Sequence, residues 1–250
     1  MMMKLNSNQK RLWLMHLKRW LPLIIIFAVL ILIFSTGLQK YLSFESLKTH
    51  RNQLLEWTNS YFLLSSLTFV IIYTIAVAVS IPGATFLTLA GGFLFGPLFG
   101  SILVIISATM GATLLYFAVK TSLGDWLAQK ATGWVSRMRE GFQENAFSYL
   151  LFLRLVPLFP FWVINIVPAL LGVNAVTFII ATFFGIMPGS VVYVLVGNGL
   201  SHIFATDQAP NLDIIFDPKV FYPLLALAAL SLLPVIYQKW FKKRKGSKNE

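Results

Sequence analysis

Long apolar runs separated by short charged stretches set the pattern of this chain. Leu21 to Leu38, and residues 61–80, 97–119, 173–196 and 220–237, carry no formal charge. Runs of this length that are apolar all round, with neither a period-two nor a one-sided helical pattern, match the ~20 residues a helix needs to cross a bilayer. Residues 84–95 form a shorter apolar piece rich in glycine, too short for a full crossing. The connecting stretches differ in kind. Residues 1–20, 39–60 and 120–145 mix charges with Leu and Trp at partial helical spacing, as in Leu12, Trp13, Leu17 and Trp20, which predicts amphipathic helices at the membrane surface. Residues 197–219 are polar and acidic. The pattern predicts an all-α polytopic membrane protein.

Within that pattern one stretch stands apart. Ala146 to Gly172 is strongly apolar yet holds Arg154, Pro157, Pro160, Asn165 and Pro168. Arg154 is the only formally charged residue between Glu144 and Asp207. A charge at the centre of a spanning helix costs about 2.5–3.5 kcal/mol on insertion scales, so it is expected to face protein or water. Each proline removes a backbone donor. Together they predict a broken, re-entrant element lining a polar cavity. A similar break is expected at Pro82-Gly83 between residues 61–80 and 84–95, and a further interruption at Met187-Pro188-Gly189.

The two broken stretches suggest an internal repeat. Pro82 and Phe86 align with Pro157 and Phe161 at an offset of 75, Gly96 with Gly172 at 76, and Tyr116 with Tyr193 at 77. The fold expected is an inverted repeat of re-entrant hairpin plus transmembrane helix, with hairpins at about 61–96 and 146–172 and flanking spans at 21–38 and 220–237. Pro82, Gly83, Gly92, Gly96, Pro157, Pro160, Pro188 and Gly189 are read as its hairpin architecture.

Charge changes the picture at the ends only. The net charge is +11, with 57% hydrophobic and 12% charged residues and a mean hydropathy of +0.75. A soluble domain carries about 25% charged residues. The basic clusters are Lys4, Lys10, Arg11, Lys18 and Arg19 before the first span, and Lys239, Lys242, Lys243, Arg244, Lys245 and Lys248 after the last. Cations flanking spans are the positive-inside signature and contact lipid headgroups, so nucleic acid is not the expected partner. Both the 1–20 segment and the 238–250 tail are placed on the cytoplasmic side. An even number of crossings then follows, which favours two hairpins plus four spans over a fifth span at 61–80.

There is no cysteine, the histidines His16, His50 and His202 have no metal-ligand spacing, and no catalytic constellation or nucleotide motif is visible. No cofactor, metal or catalytic residue is therefore expected, and the interrupted segments in the two halves point to a transporter binding site. Arg154 and Asn165 are the candidate ligands there. A guanidinium fork suits phosphate oxygens. Alternatively Arg154 serves carbonyls freed by the broken helices, and Asn165 bridges helices.

The blocks PGATFLTLAGGFLFGPLFGSILVIISATMGATLLYF, FLRLVPLFPFWVIN and FFGIMPGSVVYVLVGNG closely resemble the VTT-domain family, the SNARE-associated or DedA-type membrane proteins. The resemblance covers roughly 60–200 and is nearest to the branch with PG in the first hairpin and R-x-x-P-x-x-P in the second. It implies two opposed re-entrant hairpins and a role in moving or scrambling phosphate-bearing lipids across the bilayer. Two departures stand out: no Asp or Glu lies between Glu56 and Asp125, and Pro160 stands where the DedA branch has a second arginine. Proton coupling through membrane carboxylates loses its basis here. The partners expected are membrane lipids, anionic or phosphate-bearing, and a second copy of the chain in a homo-oligomer; the location expected is a bacterial plasma membrane. The alternative is a non-transporting organiser of membrane or partners, and a weaker one is an anion carrier.

Overall fold

A computed structural model describes residues 7–37, 43–81, 84–130, 140, 142, 144–200 and 212–236. Among them there is helix and no strand. The order is α1 (Ser7–Thr36), α2 (Phe44–Thr49), α3 (Arg51–Ser60), α4 (Phe62–Ala78), α5 (Ala84–Lys130), α6 (Ala146–Leu155), α7 (Phe161–Leu170), α8 (Ala175–Asn198), a 3-10 turn (Leu212–Phe216) and α9 (Pro218–Ser231). Arg19–Thr36, Ala84–Leu123, Ala175–Asn198 and Pro218–Ile236 are long and apolar enough to cross a membrane. Their outward faces carry large apolar side chains; Ile31 and Leu98 are 65% and 68% exposed. Apolar exposure on this scale suits lipid as solvent and not water.

Two hairpins occupy the middle of the chain. In the first, α4 meets the 84–95 arm of α5: Tyr73 Oη lies 2.8 Å from Thr88 Oγ1, and the Phe69 and Phe95 rings sit 5.3 Å apart. In the second, α6 and α7 are joined through residues 156–160, with Pro160 as the N-cap of α7. Each of these helices has 10 residues, a rise of about 15 Å, which is half a hydrocarbon core. The 17 residues of α4 rise about 25 Å, and α3 is bent from α4 by 118°.

Both hairpins end at a glycine that releases the chain into a long helix. Gly96 has φ 74° and Gly172 φ 73°, a region open to glycine at no steric cost. The aligned pair of the sequence repeat thus shares one backbone geometry. Gly96 divides α5, and the chain folds back so far that a Cβ on Gly100 would meet the Gly91 carbonyl oxygen at 2.6 Å. The halves are then locked together by α5 and α8. A Cβ on Gly92 would lie 2.0 Å from the Val194 carbonyl oxygen, and one on Gly197 2.1 Å from that of Leu89. Backbone-to-backbone packing of this kind is how helices associate where no hydrophobic drive is available. Tyr116 stacks on Phe178 at 4.5 Å and donates to the Val173 carbonyl, which closes the interface at its other end.

Three expectations are corrected. The chain is not broken at Met187-Pro188-Gly189: α8 runs through Pro188, because the loss of one donor to the Phe184 carbonyl costs less than opening several backbone pairs in an apolar setting. Pro188 and Gly189 belong to that helix and not to a hairpin. Residues 7–20 and the first span are not separate elements, since α1 passes through Pro22 without a break. Its register is held by Arg19 and Ser122: Arg19 Nε donates to the Ser122 carbonyl at 3.0 Å, and Ser122 Oγ to that of Arg19 at 2.8 Å. Finally, the helix from Pro97 does not stop near Val119 but continues to Lys130, so Lys120 is an internal residue whose Nζ donates to Tyr116 Oη at 3.0 Å. Pro82, Gly83, most of 120–145 beyond the helix, and the basic tail lie outside the described residues.

The glycine contacts carry a measurable consequence. Gly92→Ala or Gly197→Ala forces two backbones apart and is expected to lower stability by at least about 3 kcal/mol. Gly96→Ala, where a Cβ meets nothing within 4 Å, meets backbone strain alone: φ 74° with ψ −178° is a region essentially reserved to glycine, and the expected cost is about 1–3 kcal/mol. Thermal unfolding of the three variants in detergent ranks them.

Candidate functional site

Arg154 sits in the last turn of α6, where a cation complements the helix dipole. Its Nη2 donates to Asn165 Oδ1 at 2.7 Å and to Thr182 Oγ1 at 2.9 Å. Asn165 and Thr182 are fully buried, on α7 and α8 respectively. Aromatic faces flank the guanidinium: Cζ is 5.1 Å from the centre of the Phe161 ring and 5.5 Å from that of Phe178, both within cation–π range. One side chain therefore ties together α6, α7 and α8. Its partners are side-chain oxygens and not the freed backbone carbonyls considered from the sequence.

The remaining donors point elsewhere. Nε and Nη1 are shielded from solvent and meet no protein acceptor, and the same is true of Asn165 Nδ2. Leaving charged donors without acceptors is expensive, so the arrangement calls for an oxygen-rich guest. Arg154 forms part of the wall of a cavity of about 600 Å³ between the two hairpins. Hydroxyls of Ser80, Thr85, Thr88 and Ser190 share that wall, with Tyr73 and Tyr193. No carboxylate lines it among the described residues. The first residues of α5 (Ala84, Thr85) and of α7 (Phe161, Trp162) also border it, and no side chain caps α7. Helix N-termini present free N–H groups and a positive dipole end, the arrangement that broken helices use for anions. A smaller cavity of about 240 Å³ on the far side of Arg154 is bordered by Pro157, Gly185, Gly189 and Ile215.

The structure brings Arg154 and Asn165 together and puts Gly189 in the walls of both cavities. Gly92 and Gly96 serve packing and turning at a distance from the guanidinium, and Pro157 and Pro160 flank the bend that ends α6. Thr182 and Ser80 escaped the sequence reading. A signal for Thr182 exists: Gly185, one turn along the same face, is the position against which Arg154 packs, a Cβ there lying 2.5 Å from Arg154 Cβ. For Ser80 the sequence offers none.

Removing either acceptor tests the clamp. Thr182→Val and Asn165→Leu are each expected to cost about 1–3 kcal/mol, as for a buried donor left without its partner. Gly185→Ala is expected to cost a similar amount by displacing Arg154. Denaturant unfolding in detergent, including the Thr182→Val/Asn165→Leu double variant, measures their coupling.

Comparison with known proteins places this geometry in a family. Residues 81–199 match the VTT domain. Over 208 residues the chain is 36% identical to the Transmembrane protein 41 homolog of Dictyostelium discoideum, covering 80% of this chain and 59% of the relative. It is 33% identical over 169 residues to Transmembrane protein 41B of Homo sapiens (66% and 56%), and 31% identical over 176 residues to that of Gallus gallus (69% and 63%). The chain thus spans somewhat more than half the length of these relatives. No solved structure matches. This integral membrane protein thus carries a VTT domain over residues 81–199, which hold both hairpins' second arms and the Arg154 clamp.

Proposed function

We propose that the protein moves phosphate-bearing lipids across the bilayer, with Arg154 contacting the headgroup while the acyl tails stay in surrounding lipid. The observation that carries this reading is the guanidinium itself. One nitrogen is clamped by Asn165 and Thr182, and the other two face no protein acceptor beside a cavity of about 600 Å³. The uncapped start of α7 adds a second source of positive potential. Hydroxyls without carboxylates favour an anionic guest over a cationic one.

In this proposal α4 with the 84–95 arm, and α6 with α7, enter the membrane from opposite faces as re-entrant hairpins. The 10-residue helices support this, being too short to cross alone. Four crossings then leave both basic ends on the cytoplasmic side. The chain acts as a transporter and not an enzyme, and homo-oligomers are part of the reading. A bacterial plasma membrane is the location read from the sequence; the relatives named above are eukaryotic and lend it no support. The competing reading, a non-transporting organiser, is favoured by the two partners Arg154 already has within the protein.

Vesicles with a trace of fluorescent phospholipid decide between them. Reconstituted protein is expected to expose the inner-leaflet probe to an external quencher. Arg154→Ala is expected to return the signal to that of protein-free vesicles, and Arg154→Lys to give an intermediate rate, since a point charge cannot reproduce the planar fork. Transport at the normal rate by Arg154→Ala removes the headgroup contact. No transport by the unaltered protein favours the organiser.

A further inference from the structure

We infer that Ser80, at the tip of the first hairpin, is a second ligand for the phosphoryl group that Arg154 receives. The inference rests on the transport reading of the cavity and adds a residue from the other half of the repeat.

The backbone at Ser80 is the starting point. The Ile81 N–H donates to the Ala76 carbonyl at 2.9 Å, and the Ser80 N–H to that of Val77 at 3.0 Å. This is the Schellman ending of α4, and Ser80 occupies the position that glycine normally takes, because it demands a left-handed conformation. Ser80 has φ 55° and is the one non-glycine residue with positive φ among the described residues. A Cβ here is strained. Serines at helix ends usually offset such a cost by bonding to nearby backbone. This one does not: its Oγ is shielded from solvent and has no hydrogen-bond partner. Glycine would serve the turn better, so the fold alone gives no reason for the hydroxyl.

The cavity supplies one. Ser80 and Arg154 line the same space, and each lies near the C-terminal end of the first limb of its hairpin. With no carboxylate in the lining among the described residues, the hydroxyl acts towards a guest as a donor. The unpartnered N–H groups of Arg154 Nε and Nη1 and the O–H of Ser80, on residues that border one cavity, suit a tetrahedral oxyanion with more than one unesterified oxygen. A phosphate monoester or diester has that shape, whether carried by a lipid or free in solution.

The full-length protein in detergent tests this, with ligand binding read from the shift in unfolding temperature. The probes are dihexanoyl phosphatidic acid, inorganic phosphate, and dihexanoylglycerol, which lacks the phosphoryl group. Ser80→Gly relieves the strain and Ser80→Ala retains it; both lose the hydroxyl. Without ligand, Ser80→Gly is expected to unfold at the same or a higher temperature than the unaltered protein. Both variants are expected to bind phosphatidic acid about tenfold more weakly, the usual effect of one hydrogen bond to a charged group. Dihexanoylglycerol is expected to produce no shift. A response to phosphatidic acid alone assigns the site to lipid; a response to inorganic phosphate as well assigns it to the phosphoryl group itself. If both Ser80 variants bind like the unaltered protein while Arg154→Ala does not, Ser80 is no ligand and the Arg154 reading stands. If the unaltered protein responds to neither phosphate compound, both readings fall.

Discussion

A guanidinium has to be held inside an apolar assembly, and the second half of this protein is arranged around that demand. α6 stops one residue past Arg154, which leaves the side chain at a helix end where the dipole favours a cation. α7 returns with Asn165 facing it, and α8 supplies Thr182. Gly185 leaves the room that the arginine stem occupies, and Phe161 and Phe178 cover its faces. Substituting any of these residues disturbs the same group, so they form one unit and not a set of independent contacts.

The first half answers with shape and hydroxyls. It has no acid to pair with Arg154; it contributes the bend at Ser80, the Tyr73–Thr88 contact and the start of α5. The halves meet where glycines remove the side-chain layer, Gly92 on the backbone at Val194 and Gly197 on that at Leu89. The Tyr116–Phe178 stack then connects this shared spine to the guanidinium, because Phe178 touches both.

Much of this was legible from residue types. Four long apolar helices, the bend between Leu155 and Phe161 and the turn at Gly96 follow from length, proline and glycine alone. The pairing of Gly96 with Gly172 reappears as a shared positive φ. Arg154 and Asn165 were legible as a pair of polar residues in one apolar stretch. What was not legible depends on tertiary context. Pro188 reads as a break, yet an apolar environment keeps α8 intact around it. Residues 1–20 read as a surface segment separate from the span at 21–38, yet α1 runs unbroken from Ser7 to Thr36. Thr182 looks like any threonine in a span until a cation 28 residues away is folded against it. Ser80 is conspicuous only through its backbone angle, which no composition reveals.

A membrane has to hold its ion gradients while anything passes through it. The lining of the large cavity offers one fixed positive charge, several hydroxyls and, among the described residues, no carboxylate. A proton or metal cation in such a space meets a fixed positive charge that a low-dielectric wall does little to screen. The missing acids therefore do more than leave Arg154 uncompensated. On the transport reading, the same fixed charge that receives a phosphate disfavours the small cations whose leakage a cell can least tolerate.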